Sequence, residues 1–243
     1  MNTIKLSVLV SVLFLITGFS NAQDASTILK KMDNVLYSPK DSKSKQKIII
    51  TDKNGKQKIR EAIIMQKGMD KRLFRFTAPA SQSGISTLSL PNDIMYLYLP
   101  AFKKVRRISS SVKSQKFAGT DFSYDDMESK LYSEKYTPKL LRTESDAYIL
   151  ELIPISKKSQ YSKLVVKIHK TNFYPENIDY FDKAGKKIKN ATFKFKKIGK
   201  YWSSNEIVMT DLKKKHKTKM IKTDVQFDIG LSDDEFTVRK LEQ

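Results

Sequence analysis

The sequence predicts a mainly β protein built on one large antiparallel sheet or barrel. Three observations carry that prediction. Short strand-like runs, many alternating apolar and polar residues, recur along nearly the whole chain, about a dozen of them. Turn signals separate them at short intervals, among them Asn54-Gly55, Asn172, Pro175, Ala184-Gly185, Gly199, Ser203-Ser204 and Asp211. No Pro-, Gly- or Ser-rich linker divides the 243 residues and no unit repeats at a fixed period, so the mature chain reads as one domain.

A leader precedes that domain. Lys5 supplies a positive start, Leu6 to Phe19 is largely apolar, and Ser20-Asn21-Ala22 ends in small residues at the two positions a processing peptidase reads. Residues 1–22 are therefore expected to be a signal peptide cut after Ala22, leaving 23–243. The apolar run falls short of the roughly 20 residues that span a bilayer. The chain has no cysteine, so neither disulfides nor an acylated N-terminal Cys are expected in the mature protein.

The elements follow in order. In "DASTILKKMDNVLY" (24–37), Ile28, Leu29, Met32, Val35 and Leu36 recur at helical spacing, with Asp24 or Ser26 placed to cap the start. This amphipathic helix needs an apolar surface to lie on. Residues 45–67 hold two strand-like runs around Asn54-Gly55, a strong hairpin signal. Strand-like runs follow at 71–79, 84–91, 93–100 and 103–109. After the segment 116–127 they resume at 136–144, 147–155, 163–170, 177–183, 187–198, 205–213 and 217–228. Phe74 and Phe76 alternate with Arg75 and Thr77, and Phe193 and Phe195 with Lys194 and Lys196, giving the sheet an apolar face and a basic one. "IMYLYL" (94–99) is apolar on both faces and should be covered on both.

The composition excludes more chemistry than it suggests. The chain has two histidines, His169 and His216, both in basic stretches without an obvious carboxylate partner, and it lacks HExxH, GxSxG and phosphate-cradling glycine motifs. No enzyme, cofactor or metal site is expected. The net charge of +20 is spread over most strands rather than gathered in one arm, so it reads as a solvated surface with some attraction to anionic membranes, not as a nucleic-acid site. The densest run, "KKKHKTK" (213–219), reads as strand and turn surface.

One segment stands apart. "LPAFKKVRRISSSVKSQ" (99–115) is cationic, and "KFAGTDFSYDDM" (116–127) is aromatic and acidic. Asp121, Asp125, Asp126 and Glu128 lack the spacing of a calcium-binding loop. Ser123-Tyr124-Asp125-Asp126 matches a capping box, which predicts a short helix from Ser123 to about Tyr132, with Met127 and Leu131 on one face and Phe122 or Tyr124 stapling them. Gly119 permits a sharp turn before it. Arg106 and Arg107 are expected to pair with Asp121 or Asp125, a latch holding the helix over the sheet.

The block 99–127 resembles the signature of the LolA-like outer-membrane lipoprotein-sorting proteins, in the subgroup that carries "KKVRRI" followed by a "DFSYDD" motif. The tail "DEFTVRKLE" (234–242) resembles that family's C-terminal strand. The resemblance implies an unclosed antiparallel β-barrel of about eleven strands with helices over its mouth and concave face. It also implies an apolar interior that takes acyl chains of lipoproteins or other lipids. On that reading Phe74, Phe76, Tyr96, Tyr98, Phe122 and Met127 would line the pocket. Arg106, Arg107, Gly119, Asp121, Ser123, Tyr124 and Asp125 would form the lid and its latch. The expected partners are an inner-membrane transporter, an outer-membrane acceptor, or both, with the protein diffusing in the periplasm.

Overall fold

The computed structural model describes residues 24–242; the expected signal peptide, 1–22, lies outside the described residues. Thirteen antiparallel strands form one continuous sheet: β1 (Asp41–Thr51), β2 (Gln57–Lys67), β3 (Lys71–Ala78), β4 (Ser86–Leu90), β5 (Ile94–Leu99), β6 (Lys104–Arg107), β7 (Tyr136–Thr143), β8 (Ala147–Pro154), β9 (Lys163–His169), β10 (Pro175–Phe181), β11 (Lys187–Ile198), β12 (Tyr201–Asp211) and β13 (His216–Phe227). The order across the sheet is β6-β5-β4-β3-β2-β1-β13-β12-β11-β10-β9-β8-β7. The first and last strands are thus neighbours at the centre, and the two edges are β6 and β7, which are consecutive in the chain. The barrel stays open along the seam between them. Thirteen strands replace the eleven or so that the family resemblance implies.

Each strand-like run of the sequence holds a strand, because alternation and turn chemistry act locally. The Asn54-Gly55 hairpin closes with Asp52 Oδ1 accepting from the amides of Asn54 at 2.9 Å and Lys56 at 3.0 Å, and Gly55 sits at φ 82°. Register then fixes the faces. Ala62, Gln46 and Lys222 lie in one row across β2, β1 and β13, and Ala62 stands opposite Phe76 of β3. This is the concave face, and its buried apolar residues merge into one core with Ile28, Leu29 and Met32 of α1 (Ala25–Leu36).

The chain between the two edge strands fills the concavity. Residues 108–135 leave β6, cross the concave face and return to β7, carrying Phe117, Phe122 and Met127 into the core. Within this cover Ser123 makes the predicted capping box: its Oγ accepts from Asp126 N at 3.2 Å, and Asp126 Oδ2 accepts from Ser123 N at 2.8 Å. The helix does not run on to Tyr132. It divides into α2 (Tyr124–Met127) and α3 (Tyr132–Lys135), because Ser129 N donates to Ser89 Oγ at 3.1 Å and Ser129 Oγ to Met69 O at 3.1 Å. These bonds to the sheet draw the intervening backbone out of the helix. Leu131 consequently caps α3 rather than sharing a helical face with Met127.

The tail is a second correction. Residues 234–242 form no strand; Asp233–Phe236 is a 3-10 turn and Val238–Leu241 is α4. Phe236 and Leu241 pack on Met65, Leu73 and Leu88, which face the convex side of the sheet. Arg75 donates to Lys240 O, and Ser86 Oγ donates to Leu241 O at 3.1 Å. This packing supplies the two-sided cover that "IMYLYL" requires, with Met95 and Leu97 in the concave core and Tyr96 and Tyr98 under the tail.

Candidate functional site

The site is the space left between the cover and the concave face of the sheet, from β10–β13 on to β1–β3. It is a cavity of about 230 Å³. Its apolar wall includes Phe193, Phe195, Trp202 and Ile207 from β11 and β12, with Leu36 from α1 and Phe122 from the cover. Phe195 stacks on Tyr174 with ring centroids 4.7 Å apart, and Tyr174 meets Trp202 at 5.1 Å. Tyr132 and Tyr136 stack at 6.0 Å at the other end. Burial pushes the hydroxyls of Tyr132, Tyr136 and Tyr180 well up, so all three stay neutral.

The cover is held down by ionic and hydrogen-bonded clamps. Asp121, fully buried, accepts from Thr218 Oγ1 at 2.8 Å and Lys116 Nζ at 2.8 Å, lies 2.8 Å from His216 Nδ1, and its amide donates back to Thr218 Oγ1 at 2.9 Å. Asp126 accepts from Tyr161 Oη at 3.1 Å and pairs with Lys189 at 3.3 Å. Asp125 pairs with Lys135 at 2.9 Å, and Glu128 is shared by Lys113 and Lys135. Burial works against the charge of Lys135, but Asp125 and Glu128 overcome it and hold its pKa above the ordinary value. Asp33 of α1 accepts from the amides of Tyr132 and Ser133, both at 2.9 Å, and so joins α1 to α3. Burial raises the Asp33 carboxyl despite those two bonds.

Turn geometry completes the cover. Ala118 and Gly119 both take positive φ, 47° and 74°. A side chain at Gly119 would meet only Arg60 Nη2 at 3.9 Å, so the backbone angle, not space, asks for glycine there. Arg60 donates to Ala118 O and lies over the Phe76 ring at 5.4 Å.

The structure redistributes the residues expected to form the pocket. Phe122 lines the cavity. Phe74 and Phe76 are buried in filled core, with Phe117 at 5.0 and 5.7 Å. Met127 is also core. Tyr96 and Tyr98 face the opposite side of the sheet, because Tyr96 stands across from Leu88, whose side chain is convex.

The latch changes as well. Arg106 and Arg107 sit exposed on edge strand β6 and have no carboxylate partner among the described residues. Asp121 and Asp125 are instead engaged by Lys116, His216, Thr218 and Lys135. Tyr124 packs edge-on against Phe117 at 5.6 Å. His216, which has no obvious carboxylate partner near it in sequence, has Asp121 across 95 positions of chain. "KKKHKTK" accordingly divides: Lys213–Lys215 are exposed turn, while Thr218 is buried and turned inward. The acids of 121–128 are spread over Lys113, Lys116, Lys135, Lys189 and His216, with Asp125 and Glu128 sharing Lys135. Among the described residues no group of three or more metal-ligating side chains is present.

The fold has well-matched neighbours. Over 90% of this chain and 98% of the other, with 30% identity and a TM-score of 0.85, it is similar to a protein domain from Vibrio parahaemolyticus described as outer-membrane lipoprotein-sorting. The chain belongs to the LolA-like outer-membrane lipoprotein-sorting family. A DUF1329-family protein from Desulfovibrio piger is similar at 29% identity and a TM-score of 0.84, over 89% of this chain and 97% of that one. A LolA-superfamily protein from Nitrosomonas europaea shares the fold at 23% identity and a TM-score of 0.76, over 89% and 98%. A family model described as "Uncharacterized protein" matches residues 68–243, and no curated protein matches the chain. The open sheet of this LolA-like protein agrees with the barrel that the block 99–127 led us to expect.

Proposed function

We propose that this LolA-like protein is a periplasmic carrier that binds acyl chains of lipoproteins or other lipids on its concave face and moves them toward the outer membrane. The observation that carries this reading is the cavity of about 230 Å³ walled by Phe193, Phe195 and Trp202 beneath a cover fastened by polar groups. Each methylene exposed to water costs ~0.8 kcal/mol, so an apolar recess removes a large barrier to moving a chain between membranes. The volume is below the roughly 300–1,000 Å³ of most ligand pockets, so a whole lipid requires the cover to move. Clamps at the cavity end of the cover, away from the Phe117 plug, such as Asp33–Tyr132 and Asp125–Lys135, suit that role: they hold by directional bonds. Lipid extracted from the chain 23–243, purified from a periplasm without detergent, tests the proposal by mass spectrometry. A stoichiometric acylated species is the expected result. An empty protein that also fails to bind a fluorescent acyl probe would sink it.

A second reading has its own observation. Phe102 is 66% exposed at the tip between β5 and β6, beside Lys103, Lys104, Arg106 and Arg107. An exposed ring among cations suits docking on an anionic membrane or on an inner-membrane exporter. In that reading the protein is an accessory or lipid-sensing partner of the exporter.

A further inference from the structure

The charged lining of the cavity is unevenly balanced. Every carboxylate on its wall already has donors. Asp41 accepts from the amides of Ile229 at 2.9 Å, Gly230 at 3.0 Å and Leu231 at 3.1 Å. Asp125 and Glu128 share Lys135, and Asp126 holds Lys189, Tyr161 and the cap of α2. Two cations on the same wall, Arg72 and Lys222, have no carboxylate partner among the described residues. Arg72 is aimed by neutral acceptors: Nη2 donates to Gln66 Oε1 at 2.8 Å and Nη1 to Met127 O at 3.4 Å. Lys222 projects from β13 on the concave side, in the row of Gln46 and Ala62.

Two hydroxyls add to the imbalance. Ser203 is 3% exposed, and its Oγ has no hydrogen-bond partner among the described residues; the buried Oγ of Ser204 has none either. Both residues line the same cavity. Burying polar groups without partners is unfavourable, so an ammonium, a guanidinium and two spare hydroxyls on one wall form a donor set awaiting an acceptor. Burial, then the charge of Arg72, push the Lys222 ammonium down to about 8, as expected where no anion stands near it.

Building on the reading of this cavity as a lipid site, we propose that its ligand is an anionic amphiphile. Its headgroup oxyanion is received by Lys222, Arg72, Ser203 and Ser204, and its chain lies against Phe193, Phe195 and Trp202. An oxyanion of the phosphate or carboxylate type supplies acceptors to all four donors and offsets both charges. A neutral head leaves both cations uncompensated.

Trp202 is the only tryptophan of the chain and stands in the cavity wall, so its emission reports occupancy. The experiment titrates the delipidated chain 23–243 with dodecyl phosphate, dodecanol and inorganic phosphate. Dodecyl phosphate is expected to bind at least tenfold more tightly than dodecanol. Lys222→Met and, independently, Arg72→Gln should each cut that preference several-fold while leaving dodecanol binding in place. Equal binding of dodecyl phosphate and dodecanol to the wild type overturns the anionic head and leaves the lipid cavity standing. No response to either chain overturns the cavity reading itself. Inorganic phosphate that binds as tightly as dodecyl phosphate and competes with it assigns the donors to a free anion and overturns the amphiphile. A preference unchanged in both variants overturns the assignment of these residues.

Discussion

Two strands of this sheet carry the same local pattern and meet different fates. In β3, Phe74-Arg75-Phe76 points two rings into the concavity, and in β11, Phe193-Lys194-Phe195 does the same. Phe74 and Phe76 are completely covered, because Phe117 of the cover packs on both rings. Phe193 and Phe195 remain half-buried around a cavity. Above them the cover presents tyrosines and fastened carboxylates instead of a plug. Alternation chooses a face, whereas the segment crossing that face decides whether it becomes core or container.

The largest effect is expected at the plug. Phe117→Ala should cost about 3–5 kcal/mol by chemical denaturation, since the ring is fully enclosed by Phe74, Phe76 and Tyr124. Phe195→Ala should cost only about 1 kcal/mol, because its ring already borders open space, while weakening the response of Trp202 to acyl probes. Equal losses at the two positions would remove the distinction between core and container.

The fastening of the cover comes next. Asp121→Ala is expected to cost about 3 kcal/mol, because it strands the buried donor Thr218, leaves His216 without its carboxylate and leaves Lys116 with Asp211 alone. Amide hydrogen exchange should accelerate across residues 116–128 more than across β3. Uniform acceleration would mean that Asp121 supports the whole fold rather than the cover.

The unpaired lysine sharpens the container side. With Lys222 at about 8 in the folded protein and its ordinary 10.5 in the unfolded chain, the charged form opposes folding. The penalty is absent above the unfolded value, grows as pH falls, and is complete below about 8. Arg72 is the charge it feels; Asp41 is held by amides, and Asp125, Asp126 and Glu128 by other lysines. Lys222→Met should therefore be about 3 kcal/mol more stable than the wild type at pH 7, with the gap closing toward pH 10. Thermal melts across that range measure it. A variant less stable than the wild type at pH 7 would show that Lys222 has a counter-charge.

The smallest effect is expected on edge strand β6. Arg106→Glu and Arg107→Glu should change stability by less than about 0.5 kcal/mol, since both side chains are exposed and unpaired among the described residues. Their effect should appear instead as weaker flotation with anionic vesicles, while the Trp202 response to acyl probes is kept. A large loss of stability would restore these arginines to the latch.

What local forces control was legible in the amino-acid sequence. Strand positions follow from alternation, the 52–56 turn from Asp52 and Gly55, the amphipathic α1 from its spacing, and the Ser123 cap from the capping box. Each depends on residues a few positions apart. The block 99–127 also pointed to the family and therefore to an open sheet. The pairing of Asp121 with His216 and Thr218, the turning of Tyr96 and Tyr98 beneath the tail, and the gathering of Lys222, Arg72, Ser203 and Ser204 around one cavity came only with folding. Those groups lie far apart in sequence, and no periodicity links them. They meet because β1 pairs with β13 and because the chain between β6 and β7 folds across the concavity, and the free energy of both events comes from burial shared over the whole sheet.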